Sequence, residues 1–202
     1  MTWLAQRAEH RQAQGLHRTL RPRHADSQSI DIASNDYLSL ATDPDVVEAG
    51  VTALRTWGAG ATGSRLVSGH TALHAELESA LSILLRAERT LTFSSGYLAN
   101  LAAITALTDE DTLLLSDAYN HASIIDACRL SRAKTTVFPN KDVSAVQRAI
   151  RDNPGKRAVI VTDALFSVDG DLAPLEQLAE VAEAHDAVLV VDEAHSLGVL
   201  GD

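Results

Sequence analysis

From residue 71 onward the apolar residues follow two alternating rhythms. The runs 112–115, 135–138, 158–162 and 187–191 are unbroken stretches of apolar and β-branched residues, the pattern of parallel strands buried on both faces. Residues 90–93 carry the same pattern and make a fifth strand. Between these runs the spacing turns helical: Leu73, Leu77, Leu81 and Leu84 behind a capping Thr71, then 96–107, 121–132, 143–150 and 175–185. Five strands alternating with helices predict an α/β fold with a mostly parallel sheet.

The first seventy residues are less regular. Residues 3–20 read as a polar, Arg-rich helix or arm with a thin stripe of Leu4, Ala8, Leu16 and Leu20, and 30–33 as a short alternating strand. Asp43 as N-cap and Pro44 at the first helical position open a helix that runs to Trp57. Gly58, Gly60 and Gly63 have the spacing of a dinucleotide fingerprint. They follow a helix rather than a strand, so a glycine-rich loop with close backbone approach is the better reading.

Polar clusters recur where strands end: 94–96, 116–117, 163–167 and 192–195. A parallel sheet gathers such ends on one edge, where open α/β sheets bind ligands. Ser95 can cap the helix after it, and the N–H groups of Gly96 and Tyr97 can bind a phosphate there. His121 is either a surface residue at a helix start or an imidazole that stacks on a planar ring or shuttles a proton. Ser167 and Asp169 share a tight loop in which Asp169-Gly170 marks a turn, the structural reading preferred for Asp169. Asp192 can cap a helix or hold a protonated ring nitrogen, and His195 can donate to a neighbouring ring oxygen.

Composition narrows the field. At 46% hydrophobic, 22% charged and a net charge of −10, the 202 residues read as an acidic globular chain without the basic run that nucleic acid requires. No apolar run approaches membrane-span length, and the first residues lack the order of a signal peptide. A single cysteine, Cys128, excludes an internal disulfide, suits the reducing cytoplasm and reads as a buried thiol. Asp192-Glu193-Ala194-His195 spells a helicase box, but the only Gly-Lys, Gly155-Lys156, is followed by Arg157, so the required phosphate loop is missing. No G-x-S-x-G elbow is present, and the dispersed histidines lack metal-ligand spacing.

Six stretches together are familiar: 34–38, 63–69 (Gly-Ser-Arg-Leu-Val-Ser-Gly), 94–100, 117–123, 166–175 and 191–198. In this order they resemble the α-oxoamine synthases, pyridoxal 5'-phosphate (PLP) enzymes of the aspartate-aminotransferase fold, fold type I. The resemblance implies an incomplete PLP-binding large α/β domain over 44–202, preceded by an arm and short strand segment over 1–43. It implies that Gly96 and Tyr97 bind the phosphate end of PLP and that His121 stacks on the pyridine ring and contacts substrate. Ser167 and His195 would bond around the phenolic oxygen, Asp192 would pair with the pyridine nitrogen, and Asn35 would line the substrate wall. His121, Asp192 and His195 are thus the candidate catalytic residues. A basic residue of the arm contacts substrate in this family; His17 stands where arginine is usual and Arg18 follows it, so both remain candidates.

By the same resemblance the reaction is a decarboxylative condensation of an amino acid with an acyl-CoA or acyl-carrier-protein thioester, in a cytoplasmic homodimer. Residues 63–69 and 170–175 look most like members that join L-alanine to a pimeloyl thioester for biotin synthesis; 120–126 also look like members that join glycine to acetyl-CoA. The family's Schiff-base lysine lies about thirty residues beyond the aspartate, in a Thr-x-x-Lys context. Lys134, Lys141 and Lys156 all precede Asp192, and Lys134 begins a strand at the opposite, amino edge of the sheet. The expectation is therefore an N-terminal portion inactive alone, with a non-catalytic protein that binds cofactor or a partner as the other reading.

Overall fold

The computed structural model describes residues 2–25, 27 and 29–200 and divides into two units, Met1–Ser34 and Asn35–Asp202. In the first unit, helix α1 (Thr2–Ala13) is shorter than the predicted 3–20. Gly15 takes a left-handed φ of 69° and the Leu16 N–H turns back to the Arg11 carbonyl at 2.8 Å, which closes the helix. The predicted strand at 30–33 does not form. Asp31 instead accepts from Arg23 at 2.9 Å and from the Ala33 N–H at 3.1 Å, local bonds that replace a strand ladder.

The second unit begins with a 3-10 turn (Leu40–Thr42) and α2 (Pro44–Trp57), capped as predicted: Asp43 accepts from the N–H groups of Asp45 and Val46 at 2.9 and 3.3 Å. Helices α3 (Ala72–Leu84) and α4 (Gly96–Leu107) follow. Strict alternation then runs β1 (Thr112–Asp117), α5 (Ala122–Leu130), β2 (Lys134–Phe138), α6 (Val143–Arg151), β3 (Arg157–Asp163), α7 (Leu175–Ala184) and β4 (Val188–Asp192). The strands pair in parallel in the order β2-β1-β3-β4. Helix α5 stops two residues before the predicted end, where the Ser131 N–H and hydroxyl bond the carbonyls of Ala127 and Cys128, both at 2.9 Å.

The sheet is covered on both faces because β1 and β3 alternate within an apolar run. Leu113, Leu115 and Ile160 pack with Phe138, Val146 and Leu178, beneath α6 and α7. Leu114, Val159 and Val161 pack with Ile104, Ile124, Ala127 and Cys128, beneath α4 and α5. Burial of these side chains contributes on the order of 2 kcal/mol each, and the centre of the sheet is the most stable part of the unit.

The predicted fifth strand is the main correction. Residues 90–93 form no regular element, and among the described residues they pair with no strand. Glu78 of α3 occupies the ladder position: its Oε1 accepts from the Thr92 N–H at 2.7 Å and from the Thr92 hydroxyl at 2.9 Å, and its carbonyl accepts from the Thr90 hydroxyl. The same carboxylate binds Arg65 at 2.7 Å, and these hydrogen bonds hold its carboxyl down at about 2. Arg65 belongs to the glycine-rich loop, which folds onto itself: the Gly69 N–H donates to the Ser64 carbonyl at 2.8 Å, and a Cβ on Gly69 would strike the Gly63 carbonyl. Close approach is thus found at Gly63 and Gly69, whereas Gly58 and Gly60 have open space around them.

Candidate functional site

Parallel register brings the strand ends together. Asp163 at the end of β3 stands beside Asp192 at the end of β4, and Asp117 closes β1 on the same edge. A cavity of about 450 Å³ opens there. Its walls include Asn35, Gly96, Tyr97, His121, Ser167, Asp192 and His195, drawn from five separate segments. Seven of the candidate residues therefore converge. His17 and Arg18 lie in the first unit, in irregular chain after α1.

The N-terminus of α4 forms one wall. Ser95 caps it, its hydroxyl accepting from the Leu98 N–H at 3.2 Å. The Gly96 and Tyr97 N–H groups open the first turn, where no intrahelical acceptor exists, and a Cβ added at Gly96 would meet nothing within 4 Å. The Tyr97 hydroxyl donates to Asp126 at 2.9 Å, which raises its pKa and fixes the ring.

His121 caps α5. Its backbone N–H donates to Asp163 Oδ2 at 3.0 Å, and the preceding Asn120 pins the loop to β3: its amide donates to the Val161 carbonyl at 2.8 Å and its carbonyl accepts from the Asp163 N–H at 3.0 Å. Asp163 is 4% exposed. Burial, and then the facing Asp192 carboxylate, push its carboxyl up to about 6.

Each oxygen of Asp192 has a donor: Oδ1 accepts from the Ala194 N–H at 2.9 Å and Oδ2 from the Asn100 amide at 2.8 Å. His195 Nδ1 lies 2.6 Å from the Tyr37 hydroxyl, with the rings edge to face. Ser167 sits in a loop closed by Gly170, whose φ is 71° and whose N–H donates to the Phe166 carbonyl at 2.8 Å. Asp169 is part of that turn and does not line the cavity. An ion pair between Lys141 and Asp171 ties this loop to the chain after β2.

Lys134 begins β2, so it stands at the amino edge, and Lys156 precedes β3 on that same edge. Cys128 is buried, and burial pushes its thiol pKa up. Sequence reasoning placed Asp163 in a strand-end cluster of the site and Tyr37 in a stretch that could be loop or ligand wall, but gave neither a role, and it singled out neither Asn100 nor Ser123. Asn100 carried a usable signal: it is a polar residue in an apolar helix, four positions after Gly96 and hence on the same helical face. No local signal paired Tyr37 with His195, because that contact spans 158 residues.

Comparisons with known proteins bear on the family and the fold. The chain is 54% identical over 202 residues to 8-amino-7-oxononanoate synthase of Mycolicibacterium gilvum, covering 100% of this chain and 53% of that protein. It spans about half the length of the curated relatives it matches. Among solved structures, Sphingomonas wittichii serine palmitoyltransferase superposes with a TM-score of 0.76 at 34% identity, over 78% of this chain and 40% of that one. The 8-amino-7-oxononanoate synthase of Francisella tularensis gives 0.70 at 33%, over 85% and 47%. A further structure of serine palmitoyltransferase contains PLP (TM-score 0.75, 33% identity, 78% and 40% covered). The fold of the second unit is that of the large domain of these fold-type-I transferases, and the family model for aminotransferase class I and II matches residues 27–202: the chain belongs to that family.

Proposed function

We propose that the cavity binds PLP and that the chain supplies the pyridine-facing and phosphate-facing walls of an acyl-CoA-dependent synthase. The observation that carries this reading is the set of polar groups gathered around one cavity, which includes the Asp192 carboxylate, two imidazoles, the Ser167 hydroxyl and an open helix N-terminus with a glycine. These groups fit PLP in kind. The first-turn N–H groups of Gly96 and Tyr97 would take its phosphate. Asp192, held by two donors, would pair with the protonated pyridine nitrogen. The His121 ring would lie against the pyridine, while Ser167 and His195 would hydrogen-bond the phenolic oxygen. Bound there, PLP supplies an electron sink for the α-carbon of an amino acid. Asp192 keeps the nitrogen cationic, which gives the sink its strength, and the Tyr37 hydroxyl fixes the His195 ring.

The reaction we propose is decarboxylative condensation of L-alanine with a pimeloyl thioester, giving 8-amino-7-oxononanoate for biotin synthesis. It rests on the 54% identity to the Mycolicibacterium gilvum enzyme. The similarity of 120–126 to glycine-using members favours a second reading, condensation of glycine with acetyl-CoA. We further propose a homodimer, substrate contacts from Asn35 and from His17 or Arg18, and a PLP-linking lysine outside these 202 residues, so that this chain alone is inactive. Titration of the 202-residue chain with PLP, followed by absorbance and equilibrium dialysis, tests the cofactor reading. Saturable binding that Asp192→Ala weakens by about tenfold or more supports it, since a hydrogen bond to a charged group is worth about 1.5–3 kcal/mol. Binding indifferent to Asp192→Ala sinks it. Borohydride reduction of the PLP-loaded chain should label no lysine stoichiometrically; a specific adduct at Lys134, Lys141 or Lys156 refutes the placement of the lysine.

A further inference from the structure

Asp192 and His121 stand on different elements, yet an unbroken line of hydrogen bonds joins them. Asn100 Nδ2 lies 2.8 Å from Asp192 Oδ2 and 2.8 Å from Ser123 Oγ. Ser123 Oγ lies 2.7 Å from His121 Nδ1. We propose that Asn100 and Ser123 are positioning residues that hold His121 as its Nε2–H tautomer and tie its ring to the Asp192 carboxylate.

The directions follow from the Asp192 carboxylate at one end and the Ser123 backbone N–H at the other. A carboxylate oxygen can only accept, so the nitrogen of the Asn100 amide must face Asp192; the flipped amide would set oxygen against oxygen. That nitrogen has two hydrogens, one for Asp192 and one for Ser123. Ser123 Oγ is thereby an acceptor toward Asn100, which leaves it one proton and one lone pair to offer His121 Nδ1. The backbone decides between them. The backbone N–H of Ser123 reaches the same Nδ1 at 3.3 Å, and a backbone donor cannot reverse. With two donors aimed at it, Nδ1 carries the lone pair, and the neutral imidazole must place its proton on Nε2.

Two consequences bear on the site. The His121 ring is fixed at its Nδ1 corner by α5 itself, and Nε2–H is the donor it offers a ligand. Charge at Asp192 is also felt at His121, because each bond in a chain polarises the next. A cation engaged by Asp192 would weaken the carboxylate as an acceptor from Asn100 and so loosen the line that reaches the imidazole. The tautomer does not depend on what the cavity binds; the effect on PLP rests on the function proposed above.

Nitrogen NMR of the ligand-free 202-residue chain, labelled at histidine and with His121 assigned through His121→Gln, decides the question. The wild type should show one tautomer, Nε2–H. Ser123→Ala, which removes the hydroxyl but keeps the backbone donor, should raise the Nδ1–H form about fivefold, the effect of one neutral hydrogen bond. Ser123→Thr should restore the single tautomer. Asn100→Asp, which sets a carboxylate against Asp192 and offers Ser123 an acceptor, should also yield a mixture. PLP affinity should fall by roughly tenfold in Asn100→Asp and by less in Ser123→Ala. An Nδ1–H tautomer in the wild type overturns the proposal, as does a ratio unchanged in Ser123→Ala. Should Asn100→Asp fail to fold, the two serine variants are sufficient to support or overturn it. A chain with the expected tautomer that binds no PLP leaves this proposal standing and removes the cofactor reading.

Discussion

Replacing Asp163 by asparagine should stabilise the protein at neutral pH and flatten its pH dependence. Asp163 is 4% exposed and faces the Asp192 carboxylate across the β3–β4 register, so its proton is held to about pH 6, against an ordinary value of 3.8. The folded chain thus binds this proton more tightly than the unfolded chain does. By linkage, stability falls as pH rises wherever the native state holds more protons. The contribution of Asp163 is fully present below about pH 4 and is lost as pH rises through about 6. The whole interval corresponds to ~3 kcal/mol at 1.36 kcal/mol per pH decade, and water in the open cavity screens this to about 1–2 kcal/mol. Asparagine keeps the shape and still accepts from the His121 N–H, but it has no charge to desolvate. Urea unfolding of both proteins between about pH 4.5 and 7.5 measures the difference directly, because the other carboxyls are common to both. The variant should gain about 1–2 kcal/mol at the upper end and about a third of that at the lower. Parallel curves across that range, or a less stable variant at pH 7, refute the reasoning.

Other expectations follow from the core and the loops. Leu114→Ala, in a fully buried position on β1, should cost about 3 kcal/mol in urea unfolding, and a loss under 1 kcal/mol would show that the layer beneath α4 and α5 is loosely packed. Gly69→Ala should open the 63–69 loop, because the added Cβ meets the Gly63 carbonyl; limited proteolysis should then cut near Arg65, and an unchanged digest counts against the close approach. Glu78, whose carboxyl is held down at about 2 by the Thr92 backbone N–H first and Arg65 next, stabilises the native state above the ordinary carboxyl range. That support is lost as pH falls toward 2, so Glu78→Gln should shrink the drop in melting temperature on acidification, and an equal drop in both proteins contradicts the assignment.

The sheet was legible because its signal is local. An unbroken run such as 158–162 can be little other than a buried strand, and Asp43-Pro44 states where α2 starts before any packing is known. The failures share a cause. Residues 90–93 have strand chemistry, yet their backbone N–H is claimed by Glu78, fourteen residues earlier than Thr92, and no propensity scale sees that competition. Asn100 and Ser123 look like helix residues with ordinary tasks until Asp192 is placed beside them. Asp192 and His195 were legible as strand-end chemistry, whereas the raised pKa of Asp163 depends on a neighbour in another strand.

That dependence on distant partners also sets the order in which the molecule becomes competent. Asn100 meets Asp192 across 92 residues and Tyr37 meets His195 across 158, both through the last strand in the sequence or the residues just after it. Contacts of such separation cost the most chain entropy to close and form late. A chain folded as far as β3 has its central layers but only part of a cavity, since the Asp192 wall arrives with β4. Any ligand of that cavity selects the state with β4 docked, and so acts as a clasp on the final step of folding.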